Sequence, residues 1–220
     1  MAIAKAGAFQ AARENMVENQ IRCRGISDQR VLLAMRSVPR HEFVPADVVE
    51  RAYEDAPLPI GDGQTISQPY MVALMTATLE LRGNERVLDI GTGSGYQAAV
   101  LACVAGEVHS VEIRPELARA ASERLQRLGY LNVRVHRNDG SCGLVEFAPY
   151  DAIVVAAAAP ELPKPLLHQL ADGGRMIVPI GEEEGEALIY AKKHGREIVL
   201  QRRESCRFVP LKGHYGWRDS

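Results

Sequence analysis

A glycine-rich turn in the middle of the chain has the composition of a cofactor-binding loop. It reads DIGTGSG from Asp89 to Gly95 and follows the short apolar run Arg86 to Ile90. Glycines between a buried strand and a helix let a ligand approach the backbone, and the first N–H groups of the helix point toward that ligand. Such a turn also occurs without a ligand, so it needs support from other residues. The predicted cofactor contacts in the turn are Gly91, Thr92, Gly93, Ser94 and Gly95.

Two acidic positions further along the chain support a cofactor site. Glu112 ends the next apolar run, about 20 residues after the first glycine, where an acidic side chain can bind both ribose hydroxyls of a nucleotide. Asp139 and Gly140 follow the third predicted strand at the same edge of the sheet. There the carboxylate would accept a hydrogen bond from an adenine amino group. An ordinary Asx turn explains Asp139 and Gly140 equally well.

The spacing of the glycines bears on which cofactor binds. Nicotinamide dinucleotides are bound by G-x-G-x-x-G, whereas this chain has G-x-G-x-G with Asp89 two positions before the first glycine. A carboxylate repels a pyrophosphate but attracts the positively charged methionine end of S-adenosylmethionine. The pattern therefore favours S-adenosylmethionine as the cofactor. A nicotinamide-dependent oxidoreductase is the alternative from a different class.

Alternating strands and helices must place these residues at one edge of a sheet. After about residue 70, apolar runs alternate with helix-forming stretches, which predicts a mostly parallel, doubly wound sheet in an α/β fold. Before residue 60 the apolar positions recur at helical spacing and predict a helical N-terminal lobe. The Gly- and Pro-rich stretch Ala56 to Pro69 predicts an irregular loop. Ala187 to Lys192 and Ile198 to Arg203 are β-prone and predict an antiparallel C-terminal hairpin.

The length and composition indicate one soluble globular domain. The chain has 220 residues, of which 46% are hydrophobic and 25% charged, and its formal charge is −2. We expect a single domain, residues 1–220, that comprises a lobe with the active-site loop (1–69), a cofactor-binding core (70–182) and C-terminal strands (183–220). The charge offers no electrostatic reason for nucleic-acid or membrane binding.

The cysteines and histidines argue for a cytoplasmic, metal-free protein. Four separated cysteines without a C-x-x-C pair indicate a reducing compartment, and the first 20 residues lack the apolar core of a signal peptide. The longest apolar stretch, Ala152 to Pro160, is shorter than the roughly 20 residues that cross a membrane. The six histidines are dispersed, which favours structural or solvent-exposed roles over metal binding. A basic group that we expect to be solvated comprises Lys192, Lys193, Arg202 and Arg203.

The heptapeptide GQTISQP, Gly63 to Pro69, lies outside the cofactor turn and is absent from ordinary methyltransferases. It belongs to one of six stretches that give the chain, from about residue 15 to residue 211, a specific resemblance to the protein-L-isoaspartate O-methyltransferase family. These stretches are Met16 to Gly25, Val38 to Val44, Ala52 to Met71, Val87 to Gln97, Tyr150 to Pro163 and Arg207 to Leu211.

The resemblance implies a Rossmann-like class I methyltransferase fold and a repair activity. The family transfers a methyl group from S-adenosylmethionine to the α-carboxylate of L-isoaspartyl residues in damaged proteins and peptides, with S-adenosylhomocysteine as the product. Ser67 matches the family's active-site serine, and the positions discussed above match its cofactor contacts. Many bacterial members carry threonine where this chain has Ala156, and we expect altered packing or substrate preference from this departure. The expected substrate walls are Thr65, Ile66, Ala156, Ala157 and Val209, although core packing explains Val209 equally well.

The acceptor chemistry indicates what the site must do. A carboxylate with a pKa near 4 is already ionised at neutral pH, so we expect no catalytic base. Alignment and removal of water then provide the acceleration, with Ser67 orienting the carboxylate through its hydroxyl. Without the surrounding motif, Ser67 would be a turn residue. We expect a monomer, and the rival functions are methyl transfer to a small carboxylic acid or RNA and a non-catalytic binding module.

Overall fold

The structure, a computed structural model, describes residues 2–181 and 185–217. The expected boundary between the cofactor-binding core and the C-terminal strands, at residues 182 and 183, lies outside these ranges. In the part of the chain that the structure describes, no helix is both long enough and apolar enough to cross a membrane.

The N-terminal lobe is helical, as predicted. Helix α1 (Ala2–Met16) continues into a π-helical turn, and helix α2 (Gln29–Ser37) follows. Helix α2 begins at Asp28, whose carboxylate accepts hydrogen bonds from two backbone N–H groups of the first turn. The apolar face of this helix is buried as its spacing predicted, and consists of Val31, Leu32 and Met35 with Val38 just beyond. Short 3-10 turns follow at Arg40–Phe43 and Ala46–Arg51.

The prediction of an irregular loop for Ala56 to Pro69 was wrong. Strands β1 (Leu58–Gly61) and β2 (Gln64–Ile66) form an antiparallel hairpin inside this stretch. Asp62 and Gly63 form its turn, with φ angles of 54° and 66°. A two-residue hairpin turn needs positive φ values, which Asp and Gly tolerate, so the short strands pair despite the neighbouring prolines.

A seven-stranded sheet forms the core in the described part of the chain. In chain order its strands are β3 (Arg86–Ile90), β4 (Glu107–Glu112), β5 (Val133–Arg137), β6 (Tyr150–Val155), β7 (Leu170–Ile180), β8 (Ala187–His194) and β9 (Glu197–Ser205). The helices that accompany them are α3 (Pro69–Thr78), α4 (Tyr96–Ala102), α5 (Pro115–Arg127) and α6 (Lys164–Gln169). In space the strand order is β5-β4-β3-β6-β7-β8-β9. The pairings from β5 to β7 are parallel, which confirms the doubly wound sheet.

The two C-terminal strands pair with each other, as predicted, and also extend the main sheet. Strand β8 is antiparallel both to β7 and to β9. Lys193 departs from the solvated face that we expected, because its Nζ donates hydrogen bonds to the carbonyl oxygens of Leu167 and Leu170. This lysine attaches β8 to the end of helix α6.

Two histidines that are distant in the sequence form a pair in the sheet. His109 on β4 is fully buried, and its Nδ1 lies 3.0 Å from Nε2 of His136 on β5. The rings of His109 and Phe147 stack with centroids 4.2 Å apart. Burial lowers the pKa of both histidines. These two histidines therefore have the structural role that the sequence favoured.

Candidate active site

The glycine turn lies at the carboxyl end of β3, where the sequence places it. The N–H groups of Gly91 and Thr92 donate hydrogen bonds of 2.9 and 3.2 Å to the carbonyl oxygen of Val111 on β4. These bonds hold the turn against the neighbouring strand. Gly93 and Gly95 have φ angles of 52° and 90°, and helix α4 begins directly after Gly95. Such backbone conformations favour glycine and expose N–H groups at the edge of the sheet.

Glu112 lies beside this turn and is almost fully buried. Its Oε2 accepts a 2.8 Å hydrogen bond from the N–H of Gly93, and its Oε1 accepts one of 3.0 Å from the N–H of Arg114. The carboxylate therefore faces the turn from the position that favours ribose recognition. One cleft at this edge is lined by the predicted residues Thr65, Gly91, Gly93, Glu112, Gly140, Ala156, Ala157 and Val209.

Asp89 lies behind the glycine turn and is fully buried. Its Oδ2 accepts a 2.6 Å hydrogen bond from the hydroxyl of Ser110, and its Oδ1 has no hydrogen-bond partner among the residues that the structure describes. Burial raises the pKa of Asp89 to a net value of about 7, which includes a lowering effect of the Ser110 hydrogen bond and a raising effect of the nearby Glu112 carboxylate. An unpartnered carboxylate oxygen here provides a favourable site for a nearby positive charge.

Asp139 forms the Asx turn that the sequence left open as an alternative. Its Oδ1 accepts hydrogen bonds from the N–H and the hydroxyl of Ser141, and its Oδ2 accepts one of 2.7 Å from the N–H of His214. Although partial burial opposes the effect, these hydrogen bonds lower the pKa of Asp139. No motif or spacing in the sequence predicts that the C-terminal segment at His214 contacts this carboxylate.

Ser67 lies between strand β2 and helix α3, immediately beside the glycine turn. A narrow cleft is lined by residues of the Ser67 segment and of the glycine turn, together with a residue that follows β6. These residues are Thr65, Ile66, Ser67, Gly91, Thr92, Gly93, Ser94 and Ala156. A wider cavity of about 420 Å³ opens on the other side of Ser67 and is also lined by Thr65, Ala156 and Val209. Thr65, Ser67 and Ala156 thus line both spaces. Val209 combines its two predicted roles, because it also packs against the apolar core.

Residues for which the sequence predicted no role form the rim of the wider cavity. The hydroxyl of Tyr70 donates a 2.8 Å hydrogen bond to Oε1 of Glu204 on β9. The Arg24 guanidinium lies 3.3 Å from the centroid of the Tyr70 ring and forms a 2.9 Å ion pair with Asp55. Tyr70 and Glu204 are 134 positions apart in the sequence, so residue spacing cannot reveal their contact. Only the packing of the lobe, helix α3 and β9 brings these side chains together.

Comparison with known proteins decides the family. Residues 11–216 match the family described as protein-L-isoaspartate(D-aspartate) O-methyltransferase. The chain belongs to this family. A protein-L-isoaspartate O-methyltransferase 1 from Syntrophobacter fumaroxidans is 53% identical over 209 residues, which cover 95% of this chain and 98% of that protein. A protein-L-isoaspartate O-methyltransferase from Methanoculleus marisnigri is 55% identical over 207 residues, which cover 94% of both chains.

Two solved structures of the same family share the architecture. A protein-L-isoaspartate O-methyltransferase superposes with a TM-score of 0.85 at 34% identity, over 93% of this chain and 67% of the other. A Plasmodium falciparum protein, described as a putative protein-L-isoaspartate O-methyltransferase in complex with S-adenosyl-L-homocysteine, gives a TM-score of 0.77 at 29% identity, over 91% and 98% of the two chains. This chain is therefore an S-adenosylmethionine-dependent protein-L-isoaspartate O-methyltransferase with a Rossmann-like fold.

Proposed function

We propose that this methyltransferase holds an L-isoaspartyl α-carboxylate in a water-poor cleft between Ser67 and the glycine turn and esterifies it there. The observation that supports the proposal is the narrow cleft lined by both loops. The acceptor carboxylate is ionised at neutral pH, so the attack requires neither a base nor a metal. Alignment of the reacting groups and exclusion of water supply up to roughly 7 to 11 kcal/mol in favourable cases.

The residues around the cleft fit S-adenosylmethionine. When bound, this cofactor supplies an electrophilic methyl group on a positively charged sulfur. We propose that Glu112 binds the ribose hydroxyls and that the N–H groups of the glycine turn, Gly91 to Gly95, contact the remainder of the cofactor. The Asp89 carboxylate, with its unpartnered Oδ1, stabilises the positive charge from behind the turn.

Asp139 and Gly140 are proposed to contact the adenine. Gly140 lines the cleft beside Glu112. Each carboxylate oxygen has two acceptor positions, and Oδ2 of Asp139 uses one for the N–H of His214. Among the described residues, the other donor to this oxygen is the thiol of Cys142 at 3.6 Å, which is a weak donor. An adenine amino group would be a stronger partner for this position.

Ser67 is proposed to act as a positioning group for the acceptor. Its hydroxyl would donate a hydrogen bond to one carboxylate oxygen and leave the other free to attack the methyl group. A single neutral donor orients the carboxylate without stabilising its charge so strongly that the ground state is favoured over the transition state. Ser67 is therefore neither a nucleophile nor a base in this reaction.

The wider cavity is proposed to hold the damaged polypeptide. Its volume of about 420 Å³ accommodates an extended segment of a few residues, whose isoaspartyl carboxylate would pass Ser67 into the narrow cleft. The proposed walls at this passage are Thr65, Ile66, Ala156, Ala157 and Val209. After release, the neighbouring backbone amide nitrogen of the substrate attacks the methyl ester, expels methanol and closes a succinimide. Hydrolysis of this ring regenerates some normal aspartate without the enzyme.

We also propose a single-domain, cytoplasmic monomer that binds neither nucleic acid nor membranes. The cysteines of the described residues are all unpaired, which is compatible with a reducing compartment. The net charge of −2 provides no electrostatic attraction to polyanions.

A pair of peptides that differ only in the isoaspartyl linkage tests the proposed function. We expect radiolabelled methyl transfer to the isoaspartyl peptide and none to its aspartyl counterpart, with the label released as methanol by mild base. Equal labelling of both peptides, or base-stable label, would reject the proposal. RNA and small carboxylic acids as acceptors test the rival methyltransferase functions in the same assay.

A further inference from the structure

Arg40 is a fully buried cation whose hydrogen-bond partners are backbone carbonyl groups. Its Nε donates a 2.7 Å hydrogen bond to the carbonyl oxygen of Ala52, and its Nη2 donates one of 2.8 Å to the carbonyl oxygen of Ser67. Its Nη1 has no hydrogen-bond partner within residues 2–181 and 185–217. Burial lowers the pKa of Arg40 to about 10, so the side chain stays charged at neutral pH. Burying a charge against neutral partners is unfavourable and calls for a functional reason.

The same guanidinium lies against the cofactor helix. Its Cζ is 4.8 Å from the centroid of the Tyr96 ring, and Tyr96 is the first residue of helix α4, directly after the glycine turn. Tyr96 and Ser67 line the same narrow cleft. Arg40 therefore contacts both sides of the space in which the acceptor and the cofactor would meet.

We infer that Arg40 is a positioning residue, which fixes the Ser67 peptide group relative to the cofactor helix. Ser67 and Gln68 lie between β2 and helix α3 and belong to neither element. The Ser67 carbonyl oxygen is bound by the Arg40 side chain, and this bond restrains the direction of the Ser67 side chain. The inference rests on the proposed role of the Ser67 hydroxyl.

Arginine suits this position better than lysine. Its planar fork donates in two directions at once and so joins Ala52 to Ser67. A lysine ammonium carries the same charge on one nitrogen and cannot reproduce the fork. The variant Arg40→Lys therefore keeps the buried charge but cannot donate to the carbonyl oxygens of Ala52 and Ser67 from two nitrogens at once. A displacement of about 1 Å near the reacting groups can lower turnover by up to roughly 100-fold.

A double-mutant cycle between Arg40→Lys and Ser67→Ala tests the inference. We expect Arg40→Lys to lower kcat about tenfold in the native background and less than about twofold in the Ser67→Ala background, because Arg40 acts through the serine. The Kd of the Arg40→Lys variant for S-adenosylhomocysteine, measured by calorimetry, should differ from that of the native protein by less than about threefold. Arg175→Lys is the matched control, because Arg175 also donates to a carbonyl oxygen, that of Glu80, far from the site.

Each outcome of the cycle decides a separate claim. Equal losses of kcat in both backgrounds would overturn the inference, because Arg40 would then act on the fold or the cofactor pocket. A native kcat for Ser67→Ala would reject the proposed role of the serine and the inference with it, whereas the labelling of isoaspartyl peptides would still support the function. If thermal melts show that Arg40→Lys is unfolded, Arg40→Gln replaces it in the cycle, because it removes the buried charge and keeps one amide donor.

Discussion

Asp89 and Ser110 face each other on neighbouring parallel strands, and the Ser110 hydroxyl donates a 2.6 Å hydrogen bond to Oδ2 of Asp89. The Ser110 oxygen also lies 2.6 Å from the hydroxyl oxygen of Thr92, so a buried chain of hydrogen bonds joins the carboxylate to the glycine turn. The remaining oxygen of Asp89 has no hydrogen-bond partner in the described part of the chain. A negative charge is thereby held directly behind the loop that we assign to a cationic cofactor.

The affinity for S-adenosylmethionine should therefore rise with pH near neutrality. Burial raises the pKa of Asp89 to about 7, and only its ionised form attracts the cofactor's positive charge. Because deprotonation creates the attraction, we expect Kd to fall about tenfold from pH 6 to pH 8. The cofactor's amino group titrates in the same range, so Asp89→Asn is the control. Calorimetry that shows the same pH profile for both proteins would contradict this assignment.

Replacing Ser67 by alanine should slow turnover and leave cofactor binding intact. The variant removes the hydroxyl that we assign to the acceptor carboxylate, and we expect kcat to fall about tenfold with an almost unchanged Kd for S-adenosylhomocysteine. Ser37→Ala is the matched control, because the Ser37 hydroxyl donates to the carbonyl oxygen of Ala34 and Ser37 lines none of the spaces described. Steady-state kinetics and calorimetry measure the two effects. A loss of cofactor binding in Ser67→Ala would place the serine in the cofactor site instead.

Introducing threonine at position 156, as in many bacterial members of the family, should alter substrate preference without abolishing activity. Ala156 is half-buried and lines the cofactor cleft, the narrow cleft and the wider cavity. Added atoms there can extend into open space, so we expect kcat to stay within about threefold while KM differs between isoaspartyl peptides. The nearby Ala158→Thr serves as a control for packing, because Ala158 is buried and lines none of the three spaces. Unchanged KM values for a panel of peptides would contradict the assignment of Ala156 to the substrate wall.

Two glycines with similar backbone angles should respond differently to alanine. Gly95 and Gly129 have φ angles of 90° and 85°, but a Cβ at Gly95 would lie 3.2 Å from Leu125 Cδ1, whereas none of the described atoms lies within 4 Å at Gly129. We expect Gly129→Ala to lower the free energy of unfolding by about 1 kcal/mol through strain alone. Gly95→Ala should lower the free energy of unfolding by more than this and should also bind S-adenosylhomocysteine more weakly. Urea unfolding measures the first effect and calorimetry the second. Equal stabilities of the two variants would show that the Leu125 side chain moves aside at no cost in free energy.

The free energy of unfolding should decrease in mild acid because of the histidine pair. Burial holds the pKa of His109 and of His136 below the ordinary value, so the unfolded chain binds more protons than the folded one. Stability is then fully present above about pH 6.5 and falls as pH decreases from that value toward the folded-state pKa values. Denaturant unfolding at several pH values measures the slope. His136→Gln should reduce it, and an unchanged slope in this variant would assign the effect to other groups.

Much of the cofactor half of the site follows from the sequence. A buried strand, a glycine turn and a helix are encoded by neighbouring residues, so DIGTGSG and Glu112 indicate the cofactor edge of the sheet before any packing is known. The family resemblance in GQTISQP predicted a functional role for the loop that contains Ser67. The hairpin at Leu58–Ile66 was not predicted, because its many prolines and glycines are typical of an irregular loop and outweighed the Asp-Gly pair that forms its turn.

Only the tertiary structure decided how these parts meet. Neither periodicity nor spacing places Ser67 beside the glycine turn, orients Arg40 toward the Ser67 carbonyl group or brings His214 to Asp139. Such contacts join residues that are far apart in the chain, and they depend on how the lobe and the tail pack on the sheet. Local propensities are determined by a few neighbouring residues, whereas the geometry of a reaction site results from the packing of the whole chain.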